Sequence, residues 1–144
     1  MQNPPPVQTS NQPPVAVAKS STGLDENIAA LLSYVLGWIT GLIFMLLEKE
    51  SRLVRFHAVQ ALILGIIGLV FSFGSWIVWL VIAIIASMLP DVLGMLVMAV
   101  VGLVMLVIVL AIFVGWVIGM VKAYQGQYFK LPLIGNFAEK FSQK

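Results

Sequence analysis

Cysteine is absent from this chain, and histidine occurs once, at His57. The first absence removes disulfides, thiolate catalysis and thiolate-bound zinc. The second leaves too few imidazoles for a histidine-rich metal site. Charge is scarce as well. Only 10% of the residues are Asp, Glu, Lys or Arg and 60% are hydrophobic, where a soluble domain carries about 25% charged residues. So few polar side chains cannot clothe a surface in water, and a net charge of +2 gives no pull toward nucleic acid. The start of the chain also lacks the basic residue and apolar run of a secretory signal.

What remains is oil in long blocks. Residues 28–47, 58–89 and 92–121 carry no charged side chain, and a helix needs about 20 apolar residues to cross roughly 30 Å of hydrocarbon. The fold class expected is therefore all-α, a polytopic membrane helix bundle with three transmembrane helices over those blocks. The second and third would each extend about 45 Å or more at 1.5 Å per residue, so they must tilt or reach the headgroups. Splitting the second at "SFGS" would leave pieces too short to cross and a backbone turn without partners in lipid. Before the blocks, residues 1–24 hold five of the seven prolines among Gln, Asn, Ser and Thr. That composition reads as a disordered tail, and residues 25–144 as one transmembrane helical domain.

Basic residues set the orientation. Lys49, Arg52 and Arg55 follow the first block, and Lys122, Lys130, Lys140 and Lys144 follow the third, whereas only Lys19 precedes the first. Three crossings put both basic segments on one face, the cytoplasmic one by the positive-inside rule, with the N-terminal tail outside.

Helices in lipid associate through small residues spaced four apart, which let backbones approach. Ser33, Gly37 and Gly41 form one such stripe and Ala111, Gly115 and Gly119 another; Ala61 with Gly65 and Gly68 with Ser72 offer shorter ones. These are the expected helix contacts. In "EKESRLVRFH", Leu53 and Phe56 share one helical face and Arg52 and Arg55 another, so a short interfacial helix is expected over 49–57. Arg52, Arg55 and His57 are its candidate contacts to anionic headgroups or a partner. A second interfacial helix is expected over 133–142, where Ile134, Phe137 and Phe141 recur at helical spacing. No nucleophile, inward carboxylate pair or metal-ligand spacing accompanies these residues, so the reading is of no enzyme, no cofactor and no metal.

Two motifs carry a resemblance. "RFHAVQ" after the first block and "YQGQYFKLPLIG" after the third make residues 25–141 resemble a group of small, uncharacterised archaeal and bacterial multi-pass membrane proteins. That group is classed by similarity with the small membrane subunit of the Tic translocon, the protein-import machinery of the chloroplast inner envelope. The resemblance implies a membrane location and a role related to protein translocation, and brings no catalytic residues. Together with the residues it points to a non-enzymatic subunit or assembly partner of a larger membrane complex. Its partners would be the bilayer with its anionic inner-face headgroups, further copies of the chain or another membrane protein, and no nucleic acid. The alternative is an oligomeric pore, without ion-coupled transport because no span holds a charge.

Overall fold

The computed structural model describes residues 18–142, which form five helices. They are α1 (Glu26–Leu32), α2 (Trp38–Leu47), α3 (Arg52–Ser87), α4 (Asp91–Tyr124) and α5 (Gly135–Ser142). α3 and α4 are the second and third oily blocks, each grown at its charged end. With 36 and 34 residues they are about 54 and 51 Å long, and both are apolar enough to cross a membrane. They pair as an antiparallel hairpin whose tip needs Gly94: a Cβ there would lie 2.7 Å from the Ala86 carbonyl oxygen.

Only the charged end of this hairpin is packed within the chain. Ala29, Ala30, Tyr34, Leu53, Val54, Ala61 and Ala123 form one buried cluster, and Phe56, Val59 and Ala138 a second. Along the shaft the pattern reverses: from Leu62 to Ile118, Gly94 is the one buried residue. Phe73, Trp76 and Val92 stand more than 70% exposed. An apolar shaft of this size suits hydrocarbon as solvent and would drive aggregation in water.

The first oily block departs from expectation. It is not one crossing helix but two short ones, α1 with 7 residues and α2 with 10, about 10 and 15 Å long and each too short to span. Gly37 breaks the block by adopting φ +60°, ψ −120°, a backbone state open to glycine and costly for other residues. Thr40 then serves the broken ends: its hydroxyl donates to the Ser33 carbonyl at 2.9 Å and accepts from Leu36 N–H at 3.2 Å. Trp116 Nε1 donates to the Tyr34 carbonyl at 2.9 Å. A turn beside the hairpin thus finds partners inside the protein, as lipid requires.

The chain consequently returns to the end it left. Ser21 and Glu48 are hydrogen-bonded, as are Glu26 and Ser51, so the segment before α1 lies beside the loop after α2. The expectation that the N-terminal side lies across the membrane from the 48–57 loop is overturned. Residues 18–24, the end of the expected tail, form a turn in which Ser20 N–H donates to the Leu24 carbonyl at 2.8 Å; residues 1–17 lie outside the described residues. Nor is there a separate interfacial helix over 49–57. Ser51 caps α3 by accepting from Val54 N–H at 3.2 Å, and the helix runs on without a break, so Leu53 and Phe56 are core rather than membrane-surface residues.

Past α4, Gly126 turns the chain with φ +68°, and residues 127–134 run along α3 before α5 doubles back. α5 lies within the expected 133–142 region and packs on α3 through Ala138. Of its expected apolar face, Ile134 is buried, whereas Phe137 and Phe141 point outward, 58% and 55% exposed.

Candidate functional site

Two returning segments, α1–α2 and 127–α5, meet the first three turns of α3, and buried polar side chains join them. His57, fully buried, receives the Tyr34 hydroxyl at Nδ1 (3.2 Å) and reaches the Gln127 carbonyl from Nε2 (3.0 Å). A carbonyl can only accept, so the proton sits on Nε2 and Nδ1 is the acceptor. Three residues on, Gln60 donates to the Phe129 carbonyl and accepts from Leu131 N–H, both at 2.9 Å. His57 is therefore not exposed as the headgroup or partner contact expected from sequence, but is a tie between the turn after α1, α3 and the C-terminal segment. Its ring nitrogens are both engaged.

Glu48 ties the other side. Only 2% exposed, it accepts from Ser21 N–H and Oγ–H, Glu50 N–H and Ser51 N–H at 2.7–3.1 Å. Burial works to raise its pKa, yet these hydrogen bonds outweigh burial and hold the carboxyl below the usual carboxylate range. A depressed folded-state pKa stabilises the fold above the unfolded value, about 4.3, and loses that contribution as pH falls through the folded value. Thermal unfolding of purified protein should therefore show Glu48→Gln below the unchanged chain by about 1–3 kcal/mol at pH 7. The gap should close on acidification toward pH 3; a constant gap would mean that the carboxylate charge plays no part.

The sequence-expected residues divide. Gly41 faces α3 so closely that a Cβ would lie 2.6 Å from Leu62 N and 2.9 Å from the Ala58 carbonyl oxygen; Gly119 faces the Tyr34 ring at 2.9 Å. Ser33 is buried but bonds within its own turn, donating to the Ala29 carbonyl at 3.1 Å. Gly37 sits in the turn between α1 and α2, so Ser33, Gly37 and Gly41 share no helix. Ala111 is exposed, and Gly115 meets only the Leu131 side chain, at 3.8 Å. Arg55 is half-buried, reaching the Phe141 carbonyl at 3.4 Å with its Nε buried and unpartnered among the described residues. Arg52 opens onto a cleft of about 280 Å³ lined also by Phe56, Tyr128, Lys130, Glu139 and Ser142.

Tyr34, Glu48 and Gln60 carry the architecture and are not among the residues expected from sequence to make the helix, headgroup or partner contacts. For Gln60 a signal existed: an amide followed by the uncharged residues 61–89, three positions after a histidine, belongs on an inward face. No group of three His, Asp or Glu side chains suited to a metal occurs among the described residues. The arrangement binds segments to one another.

Residues 24–138 match the magnetosome magnetite crystal formation protein family. A UPF0132 membrane protein of Methanocaldococcus jannaschii is 43% identical over 133 residues, covering 90% of this chain and 99% of its own. One from Archaeoglobus fulgidus is 41% identical over 121 residues, covering 81% and 95%. A second from M. jannaschii is 36% identical over 123 residues, covering 83% and 71%. No solved structure matches the chain. The archaeal membrane proteins expected from the two motifs are thus among its relatives, and none of these names speaks of protein import.

Proposed function

This chain belongs to the magnetosome magnetite crystal formation protein family, and on that premise we propose that it is a non-enzymatic membrane part that works by association. Its α3–α4 hairpin crosses the bilayer, the α1–α2 and 127–α5 segments re-enter from one face, and further copies or another membrane protein dock on the shaft. The observation that carries this reading is the contrast along α3: mostly buried, stapled side chains from Leu53 to Ala61, then an apolar shaft that pairs with α4 and leaves its outer faces uncovered. In the membrane that shaft has lipid or a second protein as neighbour. All seven described Lys and Arg residues belong to segments at the stapled end, and Asp91 alone stands at the tip. By the positive-inside rule that end is cytoplasmic.

Magnetite crystal formation, the activity in the family's description, is one setting in which a membrane-organising part would serve. Protein translocation is another, resting on the motif resemblance alone. Crosslinking in native membranes, followed by mild solubilisation and mass spectrometry, tests the association. Discrete partners or discrete oligomers joined through residues 66–110 support it. A chain recovered alone with every crosslinker, or steady conductance from purified protein in liposomes, contradicts it.

A further inference from the structure

The cleft between the start of α3 and α5 is unused by the staples. It is lined by Arg52 and Phe56, one turn apart on α3, by Tyr128 and Lys130 of the returning segment, and by Glu139 and Ser142 of α5. Its volume, about 280 Å³, falls near the lower bound for small-molecule sites, about 300 Å³. Lys130 is held by Glu139 at 2.8 Å, an ion pair whose members are each nearly half exposed. Such a pair is worth little and can be exchanged. The Arg52 guanidinium makes no ion pair among the described residues. Phe56 and Tyr128 lie ring to ring at 5.4 Å and give the cleft a stiff apolar floor. Burial and the nearby Glu26 charge raise the Tyr128 pKa against the opposing pull of Arg52, so its hydroxyl is a donor at neutral pH.

We propose that this cleft binds a phosphate ester, with Arg52 and Lys130 as its charged donors and the Tyr128 hydroxyl completing the set; the Ser142 hydroxyl is already donated to the Glu139 carbonyl at 2.9 Å. A guanidinium fork suits two phosphate oxygens at once. On binding, Lys130 leaves Glu139 for the ligand. The outward Phe137, Phe141 and Leu133 beside it, 55–90% exposed, set the cleft at the level where lipid headgroups lie. A phospholipid headgroup and a water-soluble phosphate ester share this chemistry. The inference rests on the stapled end facing a headgroup layer, but its test does not use a membrane and so fails separately.

The test is native mass spectrometry of the full chain in detergent, titrated with phosphatidylglycerol, phosphatidylcholine or glycerol phosphate. Phosphatidylglycerol should bind at least tenfold tighter than phosphatidylcholine. Arg52→Gln should weaken it about tenfold or more, in line with a charge-assisted hydrogen bond, and Lys130→Gln somewhat less. Glu139→Gln, which frees Lys130, should tighten it about two- to fivefold. Lys140→Gln removes an equal charge outside the cleft and should change binding less than twofold. Binding of glycerol phosphate with the same ranking of variants would identify a soluble ester as the ligand; binding of the lipid alone would identify a headgroup. Equal affinity for the two lipids with no glycerol phosphate binding, an equal loss in Lys140→Gln, or no gain in Glu139→Gln overturns the proposal. The Glu139→Gln arm decides should Arg52→Gln fail to fold.

Discussion

Gln60→Met is expected to release residues 127–134 from the hairpin and to destabilise the stapled end by about 2–5 kcal/mol. Methionine keeps the volume and the apolar contacts, so the change isolates the two hydrogen bonds. It strands the Phe129 carbonyl and the Leu131 N–H, and each buried backbone group without a partner costs about 1–3 kcal/mol. Gln60→Glu makes the finer comparison. It keeps the acceptor for Leu131 N–H and sets a carboxylate oxygen against the Phe129 carbonyl, so it should fall as far or further at neutral pH and recover on acidification. Limited proteolysis of detergent-solubilised protein reads the release directly. Cleavage within 127–134 should rise at least tenfold in Gln60→Met, while the hairpin stays intact. No change would mean that the amide is not the tie described.

Gly41→Leu should have an effect of similar size by another route. A Cβ at this position lies 2.6 Å from Leu62 N and 2.9 Å from the Ala58 carbonyl oxygen. Both are backbone atoms of a continuous helix and cannot step aside. α2 must therefore lift off α3, at a cost at or above the upper end of overpacking effects, about 3 kcal/mol. Even Gly41→Ala should destabilise. Gly68→Ala and Gly74→Ala, where nothing lies within 4 Å of the new Cβ, should be neutral or stabilising by up to about 1 kcal/mol. Equal effects at Gly41 and Gly68 in thermal unfolding would remove the close α2–α3 approach from the description.

These residues also mark what could be read from sequence. α3 and α4 were legible because 30 or more residues without charge have one comfortable solvent. The grouping of Arg52 with Lys130 was legible because basic residues flank the blocks on one side. The break at Gly37 was not. An uncharged run of 20 residues containing glycine has the composition of a crossing helix, and only the left-handed backbone state at Gly37, served by Thr40, makes it a turn. His57 and Gln60 were hidden differently. His57 read as a headgroup neighbour beside Arg52 and Arg55, and Gln60 signalled no more than an inward face; the partners of both are backbone groups about 70 positions away, which no local pattern encodes. Glu48 likewise looked like one more loop charge until Ser21, 27 residues earlier, closed on it. The cleft inherits the same difficulty, since Arg52 and Glu139 meet only after α5 folds back.

The return of the chain through α1 and α2 to the end it left is the feature on which the rest turns, and a chain without cysteine is well suited to test its proposed re-entrant path. Single cysteines at Ser21, Lys49, Lys130 and Leu89, exposed to an impermeant thiol reagent in sealed vesicles of known orientation, report the face of each position. Ser21, Lys49 and Lys130 should label together from one face and Leu89 from the other. Labelling of Ser21 from the face opposite Lys49 would mean that residues 28–47 cross the bilayer, and the re-entrant fold would be wrong.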